Sequence, residues 1–464
     1  MSYSYFNKLR YLLLPLLSLV MLVFAGCTKS YSIDVDTQQK IDENDGNFSQ
    51  ALIDDDRFAT SLTNLGDVES DGVVDLAVGV PNDDDGGTNH GAVWILFMDD
   101  DGQVDVKQKI SSNEGSFSGS LDNDDEFGFS VSALGDLNND GFKDLAVGAP
   151  GDDDGGTNRG AVWILFMDAN GTVLSEQKIA NQVGGLGDVL TNEDRFGASI
   201  ADIGDLNNDG VTDLAVGATQ DDDDGTDRGA VWILFMNSDG SVASSQKISS
   251  AAGSFQGDLR DGDLFGTSVT AFDDLDNDGV AELVVGAPGA DDGGTDRGAI
   301  WILYMNTNGT VDAEEKIAHA HNEFDGGLAD GDQFGSAVAN LGDLNSDGVS
   351  EIAIGSKGRD DGGSNRGGVW VLFPRGDTTI ISSSLISATQ GNFPNQLADN
   401  DEFGSAVVSL GDLNGDGRPD MAVGASGDDG AGLDRGAAWV LFMNSVEVDS
   451  EIGDDSGLFD LYGN

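Results

Sequence analysis

Apolar residues along this chain fall in short runs, and none keeps a helical period. One stretch shows the pattern. FGFSVSAL (127–134) interleaves small and apolar residues. FKDLAVGA (142–149) is β-rich and stops at Pro150. GAVWILFM (160–167) is apolar throughout, and TVLSEQKI (172–179) alternates apolar with polar. Turn residues rich in Gly, Asp and Asn separate the four, which predicts four strands and no helix. The third suits burial on both faces, and the fourth suits an exposed outer edge.

The pattern recurs. Trp94, Trp163, Trp232, Trp301, Trp370 and Trp439 are each 69 residues apart, and Phe58, Phe127, Phe196, Phe265, Phe334 and Phe403 keep the same step. Six phased copies define one array. Four antiparallel strands per unit, from small inner residues to a polar outer strand, predict an all-β propeller of six four-stranded blades. A solenoid would need shorter repeats, and a β-sandwich would not repeat at a fixed length. The propeller is expected over 33–445, with a tail at 446–464. Thr37–Ile41 lies one repeat before Val106–Ile110, so residues 33–41 are expected to supply the outer strand of the blade begun at Phe403 and close the ring. Val446-Glu447-Val448 competes for that slot.

Between first and second strands each unit carries a nine-residue acidic loop. Positions 1, 3, 5, 7 and 9 are Asp136, Asn138, Asp140, Phe142 and Asp144 in the second unit. They are Asp205, Asn207, Asp209, Val211 and Asp213 in the third, and Asp274, Asp276, Asp278, Val280 and Glu282 in the fourth. The fifth has Asp343, Asn345, Asp347, Val349 and Glu351, and the sixth Asp412, Asn414, Asp416, Arg418 and Asp420. Side-chain oxygens at 1, 3, 5 and 9, a carbonyl at 7 and a glycine at 6 for the sharp turn make a hard-oxygen shell suited to Ca²⁺. The flanking strands and the missing twelfth-position Glu exclude an EF-hand. The first unit (Asp67, Glu69, Asp71, Val73, Asp75) has the longer Glu at position 3 and is expected to be the weak copy.

Phe127-Gly128 with Gly148-Ala149-Pro150, and Phe265-Gly266 with Gly286-Ala287-Pro288, resemble the FG-GAP repeat of the integrin α-subunit propeller. Other copies drift, at Phe58-Ala59, Gly217-Ala218-Thr219 and Gly355-Ser356-Lys357. The resemblance implies calcium in the acidic loops, on the face opposite the ligand-binding one. It brings seven blades in as the alternative to six. Integrin adhesion itself is not expected to carry over, because no inserted adhesion domain or leg domain is visible.

Charge narrows the partners. The 464 residues hold 22 Lys+Arg against 84 Asp+Glu, a net −62. That argues against nucleic acid and anionic lipid as partners. Three histidines (His90, His319, His321) are too few for a His-based zinc site or triad. Residues 1–26 read as an export signal: Lys8 and Arg10 precede an apolar run from Tyr11 to Ala25. Cys27, the sole cysteine, follows at once. This resembles the lipobox of bacterial lipoproteins, which implies lipidation of Cys27 and a membrane anchor through linker 27–32. Phe24 departs from the usual Leu, and a plain secretory signal is the other reading. Thr28 rather than Asp after the cysteine resembles outer-membrane sorting, to the cell surface or the periplasmic face. With one cysteine no intramolecular disulfide can form.

The loops between second and third strands are acidic too, around Asp83, Asp152, Asp222, Asp291, Asp360 and Asp428. Either they form a binding face, or they form a solvated rim in which Arg159, Arg228, Arg297, Arg366 and Arg435 pair with neighbouring carboxylates. The Trp residues are assigned to the core between blades rather than to sugar stacking, and the histidines to no function. Near-identical blades without a nucleophile–base pair point to a calcium-binding module for adhesion or recognition of a protein or glycan, not an enzyme. The alternative is a polysaccharide lyase or hydrolase on a calcium-rich propeller.

Overall fold

A computed structural model describes residues 30–448 apart from 188, 320, 323, 325, 394 and 395. The apolar leader, Cys27 and the tail after 448 lie outside the described residues.

The first blade is β2 (Ser61–Gly66), β3 (Asp75–Val80), β4 (Ala92–Met98) and β5 (Val104–Ile110), hydrogen-bonded in that order. Four further blades repeat it as β6–β9 (130–180), β10–β13 (196–248), β14–β17 (268–318) and β18–β21 (334–387). The sixth combines β22 (Phe403–Gly411), β23 (Asp420–Ala425) and β24 (Ala437–Val448) with β1 (Ser30–Ile41), in the order β1-β24-β23-β22. The ring therefore has six blades, not seven.

Burial follows the apolar runs. Every residue of β4 is buried, whereas β5 is exposed or half-buried between its buried ends. The core lies between neighbouring blades: Ile95 and Phe97 of the first pack with Phe127, Val147 and Trp163 of the second. Phe117 bridges them, 5.1 Å from the Phe127 ring and edge-on to Trp163 at 5.2 Å. Phe48, Phe255, Phe324 and Phe393 do the same at their seams. All six Trp are buried there, as expected.

Successive blades also share a backbone bridge. Gly160 pairs in parallel with Phe196, and its counterpart Gly436 pairs with Phe58 across the closure. Gly160 has φ +84°, and a Cβ there would stand 2.0 Å from the Phe196 carbonyl oxygen. Only glycine lets the two backbones approach so closely.

β1 runs antiparallel to β24 from Ser30↔Val448 to Ile41↔Ala438, with a bulge between Val35 and Thr37. The N-terminal segment thus supplies the outer strand. Val446–Val448 do not compete for that place; they prolong β24 and pair with Ser30–Ser32, so the sheet overruns the expected limits 33 and 445 at both ends.

Candidate calcium loops and the channel mouth

The hairpin between first and second strands shapes the acidic loops that are the candidate calcium sites. In the second blade, Asp136 carboxylate oxygens accept from the N–H groups of Asp140 (2.8 Å) and Gly141 (2.9 Å). Asn138 Oδ1 accepts from the Asp140 N–H at 2.9 Å, and Asp140 Oδ1 from the Phe142 N–H at 3.0 Å. Asp144 immediately precedes the second strand and is fully buried, accepting from the N–H groups of Leu137 (3.0 Å) and Met167 (3.2 Å). The loops around Asp205 and Asp274 share this pattern; the loop around Asp412 keeps the Gly417 bond to Asp412, while the Asp416 N–H goes to Asn414, and Asp213, Glu282 and Asp420 are the buried anchors.

Among the described residues, three carboxylates converge within 4.8 Å in two loops: Asp67, Glu69 and Asp75, and Asp274, Asp276 and Glu282. These are positions 1, 3 and 9. The fifth-position carboxylates, Asp71 and Asp278, belong to neither group; each is turned to the N–H of residue 7, Val73 or Val280, at 2.8 Å. The first loop, expected to be weak, is thus one of the two in which acid groups converge, because the longer Glu69 reaches Asp75. The fifth loop adds an orphan: Asn345 Oδ1, at position 3, is buried with no hydrogen-bond donor, while its amide donates to Glu351 Oε1 at 2.7 Å.

Burial of the ninth-position acids disfavours their charged form. It pushes Asp144, Asp213 and Asp420 up to about 6, Glu282 to about 7 and Glu351 to about 8. Burial, joined by the neighbouring Glu69, raises Asp75 to about 7. Crowded carboxylates and an unmet amide oxygen fit a hard divalent cation, which supplies the missing positive charge.

The opposite face is a paired rim. Arg228, Arg297 and Arg366 donate through Nε to Asp261, Asp330 and Asp399 of the next blade at 2.8–2.9 Å. Arg435 does so to Asp54 across the closure at 2.9 Å. Arg159 meets Asn192 at 3.1 Å. His90, assigned no function from sequence, takes the same latch position: Nε2 lies 3.2 Å from Asn123 Oδ1. Beneath, a lysine of the outer strand sits between two loop aspartates and over the Trp ring. Lys109 lies 2.7 Å from Asp83, 2.6 Å from Asp85 and 5.7 Å from the Trp94 centroid. Lys178 and Lys247 repeat this. The fifth blade inverts it: Leu385 replaces the lysine, and Arg359 replaces the aspartate. The Arg359 guanidinium lies 5.4 Å over Trp370 and bonds Asp332 at 2.8 Å.

Sixfold likeness fails at the central channel. On the rim face its mouth is a cavity of about 370 Å³ lined by inner-strand serines and by Arg57, Glu126, Phe129, Lys357 and Glu402. Arg57 pairs with Glu402 at 3.4 Å. Arg195 pairs with Glu126 and lies 5.5 Å over Phe129. Sequence reasoning missed this cluster. The residue before each repeat Phe is Arg57, Glu126, Arg195, Leu264, Gln333 or Glu402, and that variability was its one signal.

Fold and loops together define a six-bladed propeller with an acidic, calcium-type loop in every blade. The FG-GAP repeat family matches residues 127–165, 196–234, 265–303, 334–372 and 403–441, one match in each of blades two to six. The unmatched first blade is the one with Ala59 in place of the FG glycine. The chain is 34% identical to integrin alpha-5 of Xenopus laevis over 51% of its length, and 34% identical to integrin alpha-3 of Cricetulus griseus over 42%. It is 31% identical to phosphatidylinositol-glycan-specific phospholipase D of Bos taurus over 37%. These alignments span 17–20% of each relative's length. A solved structure of BBS1N in complex with ARL6DN covers 89% of this chain and 98% of that one, at 9% identity and a TM-score of 0.39.

Proposed function

We propose that this chain is an exported, calcium-binding FG-GAP propeller, lipid-anchored through Cys27, that recognises a protein or glycan at a bacterial surface. The carrying observation is the convergence of Asp274, Asp276 and Glu282 within 4.8 Å, in a loop type present in every blade. Calcium there fixes the hairpins of one face and leaves the opposite face free to meet a ligand. Similarity to integrin α subunits supports recognition. Similarity to a phospholipase D keeps an enzyme as the second reading. The two glutamates at the channel mouth are the acids such an enzyme would use, yet each is held by an arginine. A screen of calcium-loaded protein against glycans, surface proteins and a polysaccharide panel tests this. Retention without product supports recognition; released sugar overturns it. Membrane release of Cys27→Ala is expected, and retention would overturn the anchor.

A further inference from the structure

The channel mouth carries three features the repeat does not account for. The first is Lys357. It stands where other blades have Pro81, Pro150, Thr219, Pro288 and Ser426, it lines the cavity, and it is half-buried. Among the described residues no carboxylate pairs with it, although acids outnumber bases 84 to 22 in the chain. The cations nearby are engaged, Arg57 with Glu402 and Arg195 with Glu126. The mouth therefore keeps one uncompensated ammonium on a chain whose overall field repels anions.

The second feature is the state of the hydroxyls. Ser61, Ser130, Ser199 and Ser268 each donate to a glycine carbonyl of the next blade, at 2.8–2.9 Å. Thr60 and Thr267 donate to the carbonyls of Arg57 and Leu264, both at 2.8 Å. Their protons are spent on the backbone, so what they offer the cavity is acceptor lone pairs. A matching ligand brings O–H donors. The third feature is Phe129, the only aromatic side chain lining the cavity among the described residues; Arg195 lies over one face of its ring, and the remaining surface of this half-buried side chain is what it offers for C–H packing.

One ammonium, a collar of acceptors and one aromatic face describe a ligand with one carboxylate, several hydroxyls and an apolar flank. We propose that the channel mouth binds a sugar acid, free or as the terminal residue of an acidic polysaccharide, with its carboxylate on Lys357 and its ring against Phe129. The cavity is at the small end of ligand sites, which run from about 300 to 1,000 Å³, and suits one such residue rather than a long chain. The proposal rests on the recognition reading above and names its ligand class and site.

Calorimetric titration of the calcium-loaded full chain with galacturonate and glucuronate, beside galactose and glucose, tests it. The acids are expected to bind about tenfold or more tighter than their neutral parents, as one charge-assisted contact implies. Lys357→Ala is expected to remove that preference, with Lys357→Gln as the substitute if the alanine variant fails to fold. Lys107→Ala, on the outer strand of the first blade, is expected to change nothing. Equal affinity for acid and neutral sugars, which needs no variant, would overturn the proposal. So would an unchanged Lys357→Ala titration, or binding of an acidic peptide but no uronate. Oligouronides binding more tightly than monomers would identify the chain end as the ligand, and equal binding the free sugar. If glycan-array binding persists in Lys357→Ala while uronate preference is absent, recognition stands and this site falls. If polysaccharide is cleaved, the recognition reading falls instead.

Discussion

Lys40 Nζ lies 2.8 Å from Asp428 Oδ1, although 388 residues separate them in the chain. Lys40 is on the first strand and Asp428 in the last blade, so the lysine-over-tryptophan arrangement of Lys109 is rebuilt from the two ends of the molecule, with Lys40 5.7 Å over Trp439. The Lys40 side chain is 21% exposed and Asp428 6%. Lys40→Ala strands a buried carboxylate and is expected to cost about 1–3 kcal/mol. Removing Ser30–Ile41 should do more: it bares the β24 edge, which should associate with other copies. Light scattering and thermal melts read both, and a truncated chain that stays monomeric with an unchanged Tm would refute closure by β1.

Calcium removal should lower the Tm steeply at low salt. Each site filled at a hundred times its dissociation constant adds about 2.7 kcal/mol to the folded state, and several sites add up to the stability of an ordinary domain, about 5–15 kcal/mol. Glu282→Gln and Asp144→Asn should each shrink the calcium effect. Asp278→Ala should do less than Glu282→Gln, since its carboxylate is turned to the backbone. Melts that ignore chelator would end the calcium assignment.

The pH dependence has a definite sign. Burial raises Asp56, Asp125 and Asp401 to about 7 and Asp194 to about 6 in the folded protein. Between about pH 4, where unfolded aspartates titrate, and about pH 7, the folded state holds more protons, so stability falls as pH rises. Chelated protein should therefore melt higher at pH 5 than at pH 8. Calcium needs its carboxylates ionised, so the gap between calcium-loaded and chelated melts should widen with pH. A gap that narrows would contradict this.

The inverted pair in the fifth blade makes a charge-swap experiment possible. Arg359→Asp alone leaves Asp332, whose side chain is 2% exposed, without its partner and adds a carboxylate beside it. It should cost about 3–5 kcal/mol. Adding Leu385→Lys recreates the arrangement of the other blades and should recover most of that loss. Additive losses in a double-mutant cycle would show that the two positions do not share one cation site.

Gly160→Ala should destabilise by more than about 2 kcal/mol, because it forces both an unfavourable φ and a backbone clash with Phe196. Urea unfolding measures it, and a loss within 0.5 kcal/mol, as at ordinary surface positions, would show that the seam yields.

The sequence made the ring legible because its periodic residues, such as Trp94 and Phe127, report the packing that repeats. The acidic loops were legible for the same reason. Period blurs what one blade does differently. Lys357 reads along the chain as drift from a Gly-Ala-Pro pattern, and only the radial arrangement of six inner strands puts it in one cavity with Arg57 and Phe129. The turned carboxylates of Asp71 and Asp278 were equally hidden, since spacing gives the order of ligands and not their χ angles. Arg359 and Leu385 look like two unrelated lapses until the hairpin brings them to the same tryptophan.

The strand that closes the ring is also the first part of the fold to be synthesised. β1 must stay unpaired until β24 emerges about 400 residues later, and joining ends that far apart carries a loop entropy that grows only as the logarithm of length. Its exposed Asp36 and Thr37 and its Lys40 make it a hydrophilic strand that can wait in water. Assembly thus ends in a single late step, and a chain cut short anywhere before Ala437 is left with a permanently open edge.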